Sequence, residues 1–171
     1  ITNHKQWNQI VEESELNHPL QLWSWGEVKK INGWVPLRIA SDDDIFGAQI
    51  LLKKLPKFNF YLAYIPRGPL CEAGVLNQYL PELKSFLKNK KVLSLRIEPS
   101  YLAEEARQLN LKLAKNKVLM NKTMQLDLSH SKKNIKAKFA PKTRQYINKS
   151  AKQTVIHHSS ELSTDKLLGD I

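Results

Sequence analysis

WVPLRIASDDDIFGAQILLKKL, residues 34–55, decides the architecture. Over its first seven residues Val35, Leu37 and Ile39 alternate with Pro36 and Arg38, the period-two pattern of a strand with one buried face. Asp42, Asp43 and Asp44 form a polar turn. The apolar pattern resumes from Ile45 to Leu55. Two strands joined by a short polar loop predict an antiparallel hairpin.

Downstream, Phe58 to Ile65 is a third strand, rich in aromatics and ended by Pro66. Val75 to Asn89 places Leu76, Tyr79, Leu80, Leu83, Phe86 and Leu87 on one helical face. Pro81 inside it is expected to mark a first turn, with the helix proper starting there. Val92 to Ile97 is a fourth strand closed by Pro99. Tyr101 to Asn110 is a helix, and Leu111 to Leu128 holds one or two strands. Ser129 or Ser131 caps a further helix, Phe139 to Lys152 is a very basic helix, and Thr154 to His158 is a brief strand. Upstream, Lys5 to Glu15 carries Trp7, Ile10 and Val11 at helical spacing with Thr2 as N-cap. A short apolar run, Leu20 to Trp23, follows Pro19. Trp25 to Ile31 is a second short helix, broken by Gly33. The order β-β-β-α-β-α-β predicts an α/β (α+β) fold: a mixed, mostly antiparallel sheet flanked by helices.

The 171 residues, 42% hydrophobic, suffice for one core of their own. The chain opens on Ile1 and closes on Leu167, Leu168, Gly169, Asp170, Ile171, which reads as the first turn of a helix, so a fragment is expected. The formal net charge of +11 favours polyanionic partners such as RNA, DNA, an anionic membrane or a phosphorylated ligand; a lysine-rich solvated surface is the plain alternative. One cysteine, Cys71, excludes a disulfide framework and reads as a small buried hydrophobe. No apolar stretch approaches the roughly 18 residues of a membrane span, and no signal-peptide pattern stands at the start.

Four stretches carry candidate chemistry. In Trp23-Ser24-Trp25-Gly26-Glu27-Val28-Lys29, two tryptophans and a lysine can form an aromatic-walled groove with a cation at its mouth, or simply pack with Lys29 in solvent. In Tyr64-Ile65-Pro66-Arg67-Gly68-Pro69, the prolines stiffen the loop and Gly68 permits a tight turn, so Arg67 can grip a carboxylate or phosphate or bond local carbonyls. In Leu95-Arg96-Ile97-Glu98-Pro99, Arg96 and Glu98 share one strand face and need partners there, either each other or neighbouring strands. Ser129 to Lys152 holds eight Lys or Arg and no Asp or Glu. At about 3.6 residues per turn, Lys138, Lys142, Gln145 and Lys149 fall near one face, and Thr143, Tyr146 and Ser150 near another. An exposed face normally mixes signs; this one suits phosphate or RNA. No metal-ligand spacing, Walker A loop, GxGxxG or nucleophile elbow is present; His157 and His158, adjacent on one strand, would point to opposite faces.

These stretches, in this order, resemble the Fem family of peptidoglycan interpeptide-bridge aminoacyltransferases. The likeness rests on Trp25-Gly26-Glu27-Val28-Lys29, on Gly33-Trp34 and Arg38, and on the Tyr64 to Pro69 loop. It continues through Arg96-Ile97-Glu98-Pro99, Thr123 to Leu128, and Lys142 to Ala151. It implies a GNAT-like acyltransferase fold, with residues 1–118 as a first GNAT-like domain and 119–171 as the truncated opening of a second.

By that resemblance, an amine of a precursor peptide attacks the ester carbonyl of an aminoacyl-tRNA, building the interpeptide bridge on lipid II or a UDP-linked muropeptide. The ester is already activated, so no cofactor is implied. Lys29 and Arg144 are the implied holders of the precursor's pyrophosphate and carboxylates, with Tyr146, Trp25 and Arg67 beside them. Lys138, Lys142 and Lys149 are expected to meet tRNA or phosphate. The implied place is the cytoplasm, with peripheral contact at the inner face of an anionic membrane. The competing readings are a basic RNA-binding module without catalysis, and an acyltransferase of the same fold using another donor. For acyl-CoA, the expected Arg/Gln-x-x-Gly-x-Gly/Ala loop is not visible.

Overall fold

The structure is a computed structural model, and it describes residues 1–101, 103–116, 118–119 and 126–153. The chain divides into two compact units, Ile1–Asn121 and Lys122–Ile171. In the first unit, helix α1 (His4–Glu13), a 3-10 turn (Pro19–Gln21) and helix α2 (Trp23–Ile31) precede strands β1 (Trp34–Ala40), β2 (Gly47–Lys54) and β3 (Tyr61–Pro66). Helix α3 (Ala73–Asn89), strand β4 (Val92–Glu98) and helix α4 (Ala103–Arg107) follow. The second unit contains α5 (Lys132–Ala137) and α6 (Pro141–Gln153).

The expected hairpin forms. β1 pairs with β2 antiparallel, Leu37 opposite Ile50. Ser41 Oγ accepts from Phe46 N at 3.0 Å, and Asp44 takes the left-handed conformation (φ 56°) that Asp tolerates better than most residues. β2 pairs with β3 antiparallel, β3 with β4 parallel, giving the order β1-β2-β3-β4. A parallel neighbour requires a crossover, and α3 supplies it. The result is the mixed, mostly antiparallel sheet flanked by helices that the sequence predicts.

Alternation then sorts the two faces. Ala48, Ile50 and Leu52 of β2 and Ala63 and Ile65 of β3 meet Leu76, Leu80, Leu83 and Leu87 of α3 in one buried cluster. Each leucine so buried contributes about 1.5–3 kcal/mol. This is why α3 runs unbroken through Pro81, contrary to the expectation that the helix begins there. An interior proline costs about 3 kcal/mol, which the leucine stripe on either side outweighs. A smaller cluster seats Trp7 and Val11 of α1 on Leu70.

Other boundaries also shift. Asn3, not Thr2, caps α1, its Oδ1 accepting from Lys5 N and Gln6 N. α2 begins two residues early because Trp23 N donates to Asn8 Oδ1 at 3.0 Å. The helix expected over Tyr101 to Asn110 shortens to α4. Ser131 is the cap of α5. Between Leu111 and Leu128 no described residue is in a strand, and residues 117 and 120–125 lie outside the described set. The strand expected at Thr154 to His158 and the helical turn at 167–171 lie outside it as well.

Candidate functional site

The face of the sheet away from α3 is polar at its centre. Gln49, Arg38 and Gln21 are buried there. Arg38 Nε donates to Gln49 Oε1 at 2.9 Å, and its Nη2 donates to the Trp23 carbonyl (3.0 Å) and to Glu27 (3.2 Å). Gln49 Nε2 donates to the Leu22 carbonyl at 3.0 Å, while Gln49 N donates to Gln21 Oε1 at 2.7 Å. Gln21 Nε2 reaches the Pro66 carbonyl at 2.7 Å, and Trp7 Nε1 donates to the Gln21 carbonyl at 2.7 Å. Buried polar groups are costly unless paired, and here each donor has its acceptor. The network ties the start of α2, the hairpin and the loop after β3 into one piece.

Two glycines of the singled-out stretches now acquire a reason. A Cβ on Gly26 would lie 2.4 Å from Arg38 Nη2 and 2.5 Å from Gln49 Oε1. A Cβ on Gly68 would lie 2.6 Å from Gln21 Nε2. Gly68 is therefore required by close approach rather than by its backbone angles. The left-handed residue of that loop is Arg67, at φ 49°. Arg67 lies near His18, whose imidazole is held below its usual pKa first by burial and then by the Arg67 charge. The His18 Nδ1 accordingly accepts from Leu20 N at 3.1 Å.

On α2 the two tryptophans part company. Trp23 stacks on the buried Arg38 guanidinium, 3.5 Å from its centre. Trp25 carries the Lys29 ammonium 4.7 Å from its ring centroid, four residues along the helix. The Trp25 indole N–H is buried and has no acceptor among the described residues. The Lys29 ammonium over that ring is the group that suits an anionic oxygen, whereas the buried N–H is closed off from a ligand.

On the same face, towards the β4 edge of the sheet, Arg96 Nε donates to Glu98 at 3.1 Å, and the Tyr64 hydroxyl donates to Glu98 at 3.0 Å. The two charges pair with each other and with a neighbouring strand, as their shared strand face suggests. Glu98 also accepts from Val118 N (2.9 Å) and Leu119 N (3.0 Å), and Arg96 donates to the Asn116 carbonyl. Burial pushes the Glu98 carboxyl up, but the backbone donors, Tyr64 and Arg96 outweigh it and leave it below the ordinary carboxylate value. Burial first, and then Glu98, raises the Tyr64 phenol, so Tyr64 is a neutral donor. A carboxylate occupied by four donors is a poor general base. Cys71 is buried as expected, and burial pushes its thiol up to about 11.

In the second unit, Arg144 Nη1 donates to the carbonyls of Ala137 and Phe139, each at 2.9 Å, and so closes the turn between α5 and α6. Lys142 lies 5.9 Å from the centroid of the exposed Tyr146 ring, and Lys149 is exposed on the same helix. Lys138 belongs elsewhere: it is the C-cap of α5, and Pro141 starts α6 beyond it, so the expected four-residue stripe loses its first member. Within the first unit Lys29 stands with Trp25 and Arg67 beside the glutamine network; within the second, Arg144, Tyr146, Lys142 and Lys149 share α6. Among the described residues no cluster of His, Cys, Asp or Glu could hold a metal ion. Sequence reasoning passed over Gln21 and Gln49. The available signal was a lone amide amid apolar neighbours, in Leu20-Gln21-Leu22 and Ala48-Gln49-Ile50.

A lipid II:glycine glycyltransferase of Staphylococcus aureus (strain MRSA252) is 37% identical over 105 residues, which cover 58% of this chain and 25% of that protein. Its counterpart in Staphylococcus haemolyticus (strain JCSC1435) is 35% identical over 105 residues, with the same coverage. The crystal structure of FemX matches with a TM-score of 0.55 at 30% identity, covering 63% of this chain and 28% of that one. The chain therefore spans about a quarter of the length of these relatives. The profile of the FemAB family matches residues 2–160, nearly the whole sequence, and the chain belongs to the FemAB family.

Proposed function

We propose that this chain is the front part of an aminoacyltransferase that extends the peptide of a peptidoglycan precursor, taking the aminoacyl group from aminoacyl-tRNA. The relatives named as lipid II:glycine glycyltransferases support glycine as the group transferred and a lipid-linked acceptor. In this reading residues 1–118 form a first GNAT-like domain and 119–171 open a second.

The observation that carries it is the Lys29 ammonium held 4.7 Å from the Trp25 ring centroid. Phosphate oxygens or a carboxylate of the precursor meet that ammonium. Lys29 and Trp25 bind the precursor in this reading, with Arg67 on its stiff loop and Arg144 and Tyr146 contributing. Lys138, Lys142 and Lys149 contact the tRNA backbone. The precursor amine attacks the ester carbonyl, a C–N bond forms, the ester C–O bond breaks, and the ribose hydroxyl of tRNA leaves with a proton. The work of the protein is orientation and charge stabilisation, and no cofactor enters. No helix among the described residues is long and apolar enough to cross a membrane; our reading places the reaction in the cytoplasm, at the inner membrane face.

The test is a transfer assay on the whole protein that carries this sequence. Aminoacyl-tRNAs are supplied one amino acid at a time, with lipid-linked and soluble muropeptide acceptors. Glycine moving from tRNA to the lipid-linked acceptor is the expected result. No transfer from any donor, beside intact salt-sensitive tRNA binding, overturns the reading in favour of an RNA-binding module.

A further inference from the structure

Three connections leave the sheet from one end, because Trp34 opposes Lys53, Lys54 opposes Tyr61, and Tyr61 opposes Val92. They are the α2–β1 turn (32–33), the β2–β3 loop (55–60) and the α3–β4 turn (90–91). This end carries Lys53, Lys54, Lys57, Lys88, Lys90 and Lys91, and neither 30–36, 53–66 nor 84–95 contains an acidic residue. Lys53 is tied down, its Nζ donating to the Asn32 carbonyl at 2.6 Å. Lys54, Lys57, Lys88 and Lys91 are exposed.

Among these lysines stand apolar side chains that the fold leaves outside. Ile31 is 85% exposed and Phe58 63% exposed, with Phe60 at 40%. Phe58 sits at the tip of a defined turn, Phe58 N donating to the Leu55 carbonyl at 3.3 Å and Leu55 N to the Phe60 carbonyl at 2.9 Å. The opposite end of the sheet has the reverse charge. Asp42, Asp43 and Asp44 form the β1–β2 turn, and a groove there is lined by Glu13, Glu15, Asp44, Glu72 and Glu105. The first unit is therefore polarised along its strands, basic at one end and acidic at the other.

We propose that the basic end docks on an anionic lipid bilayer, with Phe58 and Ile31 entering the headgroup layer and the surrounding lysines on lipid phosphates. Lysine stems cover apolar surface while their heads stay at the phosphate level, which suits a cationic ring around apolar tips. The acidic end is repelled by the same surface, which fixes the orientation. Phe58 and Phe60 also suit base stacking, so RNA is kept as an outcome of the test; Ile31, the most exposed of the three tips, favours the bilayer. The proposal deepens the membrane-face part of the proposed function by naming the surface, and does not depend on the transfer reaction itself.

The test is co-sedimentation of the whole protein with vesicles of phosphatidylcholine alone, or with about one third phosphatidylglycerol. Binding only to the anionic vesicles is expected. The Lys54→Gln, Lys57→Gln, Lys91→Gln triple variant should lower partitioning about a hundredfold, at about fivefold per lysine near a charged surface. Phe58→Ser with Ile31→Ser should lower it about tenfold. Glu13→Gln with Glu15→Gln at the acidic end of the same unit should leave it within about twofold, and unchanged melting curves confirm that the exposed substitutions leave the fold intact. Equal binding to neutral vesicles, unchanged binding by the loop variants, or an equal loss from the acidic-end variant overturns the proposal. Loop variants that lose tRNA binding but keep vesicle binding make this an RNA surface instead. Transfer to a soluble acceptor without vesicles reads the reaction separately, so either idea can fail alone.

Discussion

The two faces of one four-stranded sheet are filled by opposite means. Towards α3, Ala48, Ile50 and Leu52 meet four leucines, and what matters is volume. Towards α2 the intervening Gln49, with Arg38 and Gln21, is fixed by directed bonds, and what matters is the pairing of each donor with its acceptor. A face held by volume suffers when atoms are removed. A face held by direction also suffers when a single methyl is added.

The largest effect expected is on the α3 face. Leu76 is fully buried, so Leu76→Ala should cost about 2–5 kcal/mol in urea unfolding, and Leu76→Met less than about 1.5 kcal/mol. A smaller loss for the alanine than for the methionine would break the volume rule. Next comes Gly26→Ala on the polar face, expected to cost about 1–3 kcal/mol because its Cβ would lie within 2.5 Å of Gln49 Oε1. Combining it with Gln49→Ala should cost less than the sum of the two single losses; strict additivity would mean that the methyl does not meet the network.

Glu98→Gln should cost about 1 kcal/mol at neutral pH, through weakened bonds to Val118 N, Leu119 N and Arg96. Because the folded carboxyl lies below its ordinary value, that contribution is present above the unfolded carboxylate pKa and is lost as pH falls through the folded one. The gap between wild type and variant should therefore close in acid; a gap that persists in acid would mean that the charge of Glu98 does not matter. The smallest effect on stability belongs to Lys29→Ala, within about 0.5 kcal/mol, since the ammonium holds no buried structure. In the proposed function the same variant lowers precursor affinity at least about tenfold by calorimetry, as expected for a lost charged contact. Arg144→Ala cannot separate the two effects so cleanly, because that side chain also closes the α5–α6 turn.

Much of this was legible in residue order. Alternation in 34–55 set the hairpin, and the leucine spacing in 75–89 set the crossover helix. The ordered motifs pointed to the FemAB family, whose profile matches residues 2–160. Local signals failed where a distant partner decided. Pro81 reads as a helix start because its missing N–H is a local fact, whereas the leucine stripe that carries the helix past it is buried only against the sheet. Lys138 was placed on the basic stripe by counting, which could not see that α5 ends there.

The sequence alone determined the four strands of the sheet, the main helix and the charge, since each follows from periodicity or composition within a short window. Only the tertiary structure decided why Gly26 and Gly68 must be glycine and why two glutamines belong in a core. It also decided which tryptophan keeps an unspent N–H beside Lys29. The physical reason is that hydrogen bonds and close approaches between segments 15 to 45 residues apart depend on where the chain returns, and no local pattern encodes that.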